Sequence, residues 1–139
     1  MVDRLEGVGV FCLELFQLPG GELLINEIAP RPHNSGHYTL DACSVSQFEQ
    51  QVRATCGMPL GEVRLLSPAV MVNLIGEDAA AFVKGAGSRT LLAIPGAVLH
   101  LYGKPAIRPR RKMGHVTFLG ETLALALDHA QQFRDRLAR

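Results

Sequence analysis

The feature that most constrains the fold is a pair of apolar segments separated by a tight turn. Residues 8–16 (VGVFCLELF) and 22–28 (ELLINEI) are short and largely apolar, and Pro19-Gly20-Gly21 lies between them. This pattern predicts two antiparallel strands joined as a hairpin. Since both strands carry apolar residues on their two faces, we expect a sheet that is covered on both sides.

Each predicted strand contains one glutamate, and a two-residue turn at positions 20–21 places Glu14 directly opposite Glu27. Like charges facing each other repel, and apolar neighbours make their burial costly. A divalent cation relieves both problems, and two carboxylates with few other protein ligands suit Mg²⁺. The alternative is a shifted register with one glutamate at the sheet rim. Asn26 points away from Glu27 in this register and can reach a shared metal only through a bulge.

The segment that follows, residues 29–39 (APRPHNSGHYT), is too rich in Pro, Gly, Asn and Ser to form regular structure. Guanidinium, amide and hydroxyl groups beside a glycine are typical of phosphate recognition, and they are supplied here by Arg31, Asn34, Ser35 and Gly36. His33 and His37 have the spacing of zinc ligands on a helix, but Pro32 disfavours a helix here. A plain Asn/Ser turn with one surface arginine is the alternative.

The rest of the chain alternates helices and strands. Ser46 and Glu49 form a capping-box pattern that predicts a helix to about residue 56. Beyond a boundary at Pro68, we expect a short helix beginning at Asp78, and the other predicted elements are strands at 69–74, 97–102 and 116–119 and an amphipathic helix at 121–137. The apolar face of this last helix is predicted from residues near helical spacing, which are Leu123, Leu127, Ala130, Phe133 and Leu137. The fold class is therefore α+β, mostly antiparallel, in two unequal parts comprising residues 1–68 and 69–139.

A basic cluster follows the second of these later strands. Five cations lie within nine residues, at Lys104, Arg108, Arg110, Arg111 and Lys112. The interrupting prolines favour a compact anion site over a helix face, and the alternative is solvated surface. Nucleic acid is disfavoured as a partner, because no aromatic residues interleave with these cations and the net charge is only +1.

The composition sets the expected location. Cys12, Cys43 and Cys56 are an odd number and lack paired CxxC spacing, which argues against a disulfide framework and a structural zinc site. The first residues lack a signal pattern, and no apolar run reaches the length of a membrane span. We therefore expect a cytoplasmic protein without a membrane partner.

Several motifs together resemble one family. FCLELF around Glu14, INEIAPRPHNSGHYT at 25–39 and SQFEQQVRA at 46–54 are similar to the end of the ATP-grasp domain in the carboxyaminoimidazole ribonucleotide synthetases. The segments at 100–104 (HLYGK) and 108–115 (RPRRKMGH) resemble that family's C-terminal phosphate-binding segment, with Arg110 where a glycine is usual. The resemblance implies the C-terminal half of an ATP-grasp domain plus a small β-rich domain ending in a helix.

The resemblance also implies an activity and its residues. The family carries out ATP- and Mg²⁺-dependent carboxylation of 5-aminoimidazole ribonucleotide by bicarbonate in de novo purine biosynthesis. By resemblance, Glu14 and Glu27 hold Mg²⁺. The other implied roles are ATP binding by Asn26, Glu27 and Lys104, anion stabilisation in catalysis by Arg31, and substrate binding by His33, Asn34, Ser35, Arg111 and Lys112.

The resemblance covers nearly all of this chain but only the C-terminal part of a longer enzyme. We therefore expect a fragment that is inactive alone and whose partner is either the missing N-terminal ATP-grasp domains or a second copy in a homodimer. Two alternatives remain open. The chain itself is a non-catalytic docking fragment or one chain of a split enzyme, or the parent enzyme is a sister ATP-grasp carboxylase that uses another acceptor.

Overall fold

The computed structural model describes residues 2–83 and 87–137, which form two compact units, Met1–Arg64 and Leu65–Arg139. Both units combine helices with antiparallel strands, so the predicted α+β class is confirmed. The first unit contains a 3-10 turn at Val2–Leu5, strands β1 (Cys12–Gln17) and β2 (Leu23–Ala29), a second 3-10 turn at Asn34–Gly36, and helices α1 (Thr39–Ala42) and α2 (Gln47–Thr55).

The β1–β2 hairpin forms with a register that changes once along its length. Leu18 N–H donates to the Glu22 carbonyl over 2.8 Å, so three residues form the turn and the predicted two-residue turn is wrong. Farther from the turn the register shifts by one residue, and Asn26 is the extra residue of a β-bulge. The two deviations cancel, and Glu14 pairs with Glu27 as predicted.

Within the described residues, the hairpin is not covered on both faces as its apolar pattern predicted. Phe16 is 58% exposed and Ile25 is 62% exposed, and the other exposed large apolar side chains of the two strands are Leu13, Leu15, Leu23 and Leu24. A two-stranded ribbon buries little apolar surface by itself, so its stability depends on what packs against it.

Helix α2 begins as its sequence predicts. The Ser46 hydroxyl accepts a hydrogen bond from Glu49 N–H over 3.1 Å, which satisfies one of the free donors of the first turn. The Glu49 carboxylate binds Arg53 instead of completing the capping box, with 2.6 Å between Oε1 and the guanidinium Nη2. The helix ends before Gly57, whose φ of +64° suits glycine.

The second unit is built on a three-stranded antiparallel sheet. Its strands are β3 (Ala69–Ile75), β4 (Ala97–Leu101) and β5 (Lys112–Leu119), in the order β3-β5-β4, and its helices are α3 (Ala80–Val83), α4 (Ser88–Leu92) and α5 (Leu123–Leu137). A 3-10 turn at Gly76–Ala79 precedes α3. The central strand β5 begins four residues earlier than the predicted residue 116. The buried core includes Leu74, Met113, Val116, Phe118 and Phe133.

Helix α5 forms where predicted, and Ala130 and Phe133 of its predicted apolar face are buried, but the first turns of that face are not. Leu123 and Leu127 were expected on the core face, yet they are 56% and 52% exposed. The residues buried on this helix are Ala126, His129, Ala130 and Phe133. Small alanines let the helix backbone approach the sheet, while Phe133 fills the space against Phe118, with ring centroids 5.4 Å apart. None of the described helices is both long enough and apolar enough to cross a membrane.

Candidate functional site

The facing glutamates form a cluster with a histidine from the following loop. Potential ligand atoms of Glu14, Glu27 and His33 all lie within 4.8 Å of one another. His33 Nε2 lies 2.8 Å from Glu14 Oε1. Asn26 Nδ2 lies 3.5 Å from Glu14 Oε2, because the bulge turns the amide toward the Glu14 side of the hairpin. Two carboxylates converging at this point fit a hard divalent cation such as Mg²⁺.

The loop that carries His33 is ordered by local hydrogen bonds. His33 caps the 3-10 turn Asn34–Gly36, and its Nδ1 accepts from Ser35 N–H over 3.3 Å. The Ser35 hydroxyl lies 2.9 Å from the same nitrogen and 3.6 Å from Cys12 Sγ. The imidazole therefore bridges Ser35 on one side and Glu14 on the other. His37 Nδ1 instead lies 2.8 Å from Gln47 Nε2, so the structure lends no support to a zinc pair of the two histidines.

Two other predicted residues of this loop offer unused polar groups. Asn34 Oδ1 is buried and has no hydrogen-bond partner among the described residues. A buried acceptor without a donor costs free energy unless a ligand or water satisfies it. Arg31 is exposed, and its Nη1 donates to the Pro32 carbonyl over 3.1 Å. The loop thus presents the unsatisfied Asn34 acceptor, which follows the exposed Arg31 closely in the sequence.

The sequence reasoning missed Gln47, the first residue of α2. Its side-chain Oε1 accepts from His33 N–H over 2.9 Å, and its Nε2 donates to the His33 carbonyl over 2.8 Å. Gly36 leaves the space for this amide, since a Cβ there would lie 2.6 Å from Gln47 Oε1. The available signal was a long amide side chain directly after the Ser46 cap, but periodicity does not say which loop such a side chain reaches.

The basic cluster lies in the second unit, where backbone contacts fold it into a compact loop. The Lys104 amine donates to the Lys112 carbonyl and lies 5.3 Å from the centroid of the Tyr102 ring, within the range of a cation–π contact. Arg111 Nη1 donates to the Ala106 carbonyl over 3.1 Å. Arg110 is exposed and has a φ of +59°, a conformation that favours glycine.

Tyr102 is a further polar residue beside this loop that the sequence reasoning did not single out. Its hydroxyl lies 2.8 Å from His115 Nδ1, and the His115 ring stacks on His100 with centroids 4.5 Å apart. Burial raises the pKa of the Tyr102 phenol, which favours the neutral hydroxyl that can donate a hydrogen bond.

The predicted site residues therefore fall into two groups. The first unit carries the hairpin and loop residues Glu14, Asn26, Glu27, Arg31, His33, Asn34 and Ser35, and the second carries Lys104, Arg111 and Lys112. In the first group, direct contacts join Glu14 to Asn26 and His33, and His33 to Ser35. In the second, Lys104 contacts the backbone of Lys112.

Comparison with known proteins identifies both units. Residues 1–48 match the ATP-grasp domain, and residues 69–129 match the phosphoribosylaminoimidazole carboxylase C-terminal domain. The N5-carboxyaminoimidazole ribonucleotide synthase of Bacillus subtilis is 52% identical over 119 residues, which are 86% of this chain and 30% of that protein. The chain matches the C-terminal portion of the members of the N5-carboxyaminoimidazole ribonucleotide synthase family. The family member from Synechococcus elongatus is 48% identical and aligns with 100% of this chain and 35% of its own length.

Solved structures of the family have the same fold. The N5-carboxyaminoimidazole ribonucleotide synthetase of Thermotoga maritima is 50% identical, with a TM-score of 0.85 over 96% of this chain and 38% of that one. The Aspergillus clavatus enzyme, solved in complex with ADP and 5-aminoimidazole ribonucleotide, is 38% identical, with a TM-score of 0.84 over 94% of this chain and 35% of that one. The chain thus spans about a third of the length of these relatives.

Proposed function

We propose that this chain supplies part of the active site for ATP- and Mg²⁺-dependent carboxylation of 5-aminoimidazole ribonucleotide by bicarbonate. Residues 1–68 would form the end of an ATP-grasp domain and residues 69–139 a small C-terminal domain. Because the relatives are about three times this length, we further propose that the chain works with N-terminal ATP-grasp domains, and the alternative is a homodimer of this chain.

The single observation that carries the proposal is the convergence of Glu14 and Glu27 with His33. Two carboxylates facing each other on an exposed hairpin are repulsive unless a cation joins them. Mg²⁺ suits this donor set, because it prefers carboxylate oxygens and shares phosphate oxygens with a nucleotide. When bound, Mg²⁺ would neutralise charge on the ATP phosphates. His33 and Asn26 would orient the Glu14 carboxylate for that purpose.

The remaining predicted residues suit the anionic and amine groups of the reaction. A bicarbonate oxygen would take the γ-phosphoryl group from ATP, giving ADP and carboxyphosphate. The ribonucleotide amine would then take the carboxyl group, releasing phosphate. Arg31, Lys104 and Arg111 are cations that would stabilise the negative charge of these groups. Asn34 Oδ1, buried without a partner in the described structure, would accept from a substrate N–H or O–H group.

The direct test measures phosphate release from Mg-ATP with bicarbonate, with and without 5-aminoimidazole ribonucleotide. We expect the chain alone to release no phosphate, and the chain supplemented with the N-terminal domains of a relative to release it only when the ribonucleotide is present. If the supplemented chain released phosphate equally with and without the ribonucleotide, the proposed acceptor would be contradicted. Ribonucleotide-dependent release by the chain alone would show that it builds a whole site.

The metal assignment is tested in the same supplemented system. Replacing Glu27→Gln removes one negative charge with little change in shape, and we expect it to abolish Mg²⁺-dependent turnover while the fold remains intact. Glu22→Gln is the matched control, because Glu22 lies on the same hairpin beside the turn and outside the cluster. Unchanged turnover in Glu27→Gln would overturn the metal assignment.

A second candidate function is a docking fragment without catalysis of its own. The observation that favours it is the exposed apolar surface of β1 and β2, including Phe16 and Ile25. Apolar patches of this kind often mark interaction sites. Titration with isolated N-terminal domains separates the two functions, since docking predicts binding without phosphate release, whereas the proposed enzyme predicts both.

A further inference from the structure

Gln47 joins helix α2 to the loop that carries His33. Its amide accepts from His33 N–H over 2.9 Å and donates to the His33 carbonyl over 2.8 Å. Its Nε2 also lies 2.8 Å from His37 Nδ1. The Gln47 backbone N–H is anchored as well, donating to Thr39 Oγ1 over 2.9 Å. One side chain thus satisfies both backbone groups of His33, in the way that a neighbouring strand would.

The backbone around Gln47 is shaped to admit this amide. A Cβ at Gly36 would lie 2.6 Å from Gln47 Oε1 and 2.8 Å from its Cδ, so another residue at position 36 would displace the amide. The hydrogen bonds between Gln47 and His33 are partly buried, where competition from water is reduced. These two hydrogen bonds between the Gln47 amide and the His33 backbone, called the clamp below, therefore restrict the His33 backbone and the direction in which its ring extends.

We propose that Gln47 is a positioning residue for the metal site, acting through His33. With the His33 backbone fixed, the ring places Nε2 2.8 Å from Glu14 Oε1 and Nδ1 2.9 Å from the Ser35 hydroxyl. A hydrogen bond of this kind orients a carboxylate ligand, and the other Glu14 oxygen, 3.5 Å from Asn26 Nδ2, keeps a lone pair for a cation. This inference rests on the proposed function only for the metal, because the geometry of the clamp is independent of any ligand.

The same helix supplies a matched control. Gln50 Nε2 donates to the Gly61 carbonyl over 2.6 Å, and Gly61 N–H donates to Gln50 Oε1 over 3.0 Å. Gln50 therefore makes the same two-bond clamp on a loop backbone, but away from the Glu14 cluster. Replacing either glutamine by alanine removes the same chemical groups from the same helix, so a general loss of stability should affect both variants similarly.

The first experiment uses this chain without metal and records the nitrogen-15 chemical shifts of the histidine rings at one fixed pH. The His33 signals are assigned by their loss in His33→Gln. We expect Gln47→Ala to move the His33 Nε2 resonance by several ppm, because the hydrogen bond to Glu14 loosens. Gln50→Ala should leave it in place. If Gln47→Ala unfolds, Gln47→Glu keeps the size of the side chain but cannot donate to the His33 carbonyl, and the same displacement is expected.

The second experiment measures Mn²⁺ binding to the same variants by electron paramagnetic resonance, with Mn²⁺ as the probe for the Mg²⁺ site. We expect Gln47→Ala to weaken binding roughly tenfold, as loss of an outer-shell partner typically does, and Gln50→Ala to leave it unchanged. A parent chain that binds no Mn²⁺ would overturn the proposed metal function, and the His33 resonance would still decide the role of Gln47. An unmoved resonance in both Gln47 variants would overturn this inference, whatever the metal result.

Discussion

The two sheets of this protein differ in how much of their own surface they bury. In the second unit, every residue of β5 from Met113 to Phe118 is buried, and Phe118 has 0% of its surface exposed. In the first unit, the hairpin strands are similarly apolar in sequence, yet Phe16 and Ile25 are more than half exposed. Similar composition therefore leads to opposite burial.

The difference follows from what each sheet packs against. The central strand β5 has a strand on both sides, and Phe118 contacts Phe133 of helix α5 with 5.4 Å between ring centroids. The hairpin has two edge strands and carries the candidate metal cluster. The second unit thus holds the larger apolar core of the chain, while the first exposes its functional groups on a scaffold with little burial of its own.

The largest expected effect comes from truncating an aromatic residue in each sheet. Phe118→Ala should destabilise the protein by about 3–5 kcal/mol, because it leaves a cavity in a closed core. Phe16→Ala should change the free energy of unfolding by less than about 0.5 kcal/mol, as is usual for exposed sites. Urea denaturation followed by circular dichroism measures both values.

An equal cost for the two aromatic substitutions would break this comparison. It would mean that Phe16 is buried in solution by a partner or a second copy. Repeating the denaturation at several protein concentrations separates these cases, since a second copy makes the unfolding midpoint depend on concentration.

A smaller effect is expected at the helix caps, where the two units should behave alike. Ser46 accepts from Glu49 N–H over 3.1 Å, and Thr122 accepts from Leu125 N–H over 3.2 Å. Because capping is local, Ser46→Ala and Thr122→Ala should each cost about 1 kcal/mol in thermal or urea unfolding. A clearly larger loss in one variant would indicate that its hydroxyl has a role beyond the cap.

The only stabilising effect is expected at Arg110. Its φ of +59° strains a residue with a side chain, so Arg110→Gly should stabilise the second unit by up to about 1 kcal/mol. Arg108→Gly is the control, because Arg108 is not among the described residues with positive φ, and glycine there should be neutral or destabilising. A rise in melting temperature for both variants would contradict this explanation.

Several parts of the fold were predictable because their signals are local. The Ser46 cap, the strand after Pro68 and the C-terminal helix depend on hydrogen bonds and periodicity within a few residues. The sequence also predicted the Glu14–Glu27 pair, although by a turn that does not form. The shift at the turn is offset by the bulge at Asn26, and alternation of side chains along a strand cannot reveal such compensating shifts.

Contacts between distant segments were less predictable. The apolar spacing on helix α5 correctly placed Ala130 and Phe133 on the core face, but it also placed Leu123 and Leu127 there, whereas Ala126 is buried in their place. Likewise, no pattern in the helix beginning at Gln47 indicates that its amide holds the backbone of His33, 14 residues earlier. Both facts depend on the orientation of a helix against its neighbours.

The sequence by itself determined the element types, the family and the chemical character of the candidate site, since these depend on motifs and local hydrogen bonding. Tertiary structure alone decided that the bulge turns Asn26 toward Glu14, that His33 bridges Glu14 and Ser35, and that Gln47 fixes this loop. The physical reason is that these contacts join residues from separate segments, whose distances are set by backbone register and packing and leave no periodic trace in the sequence.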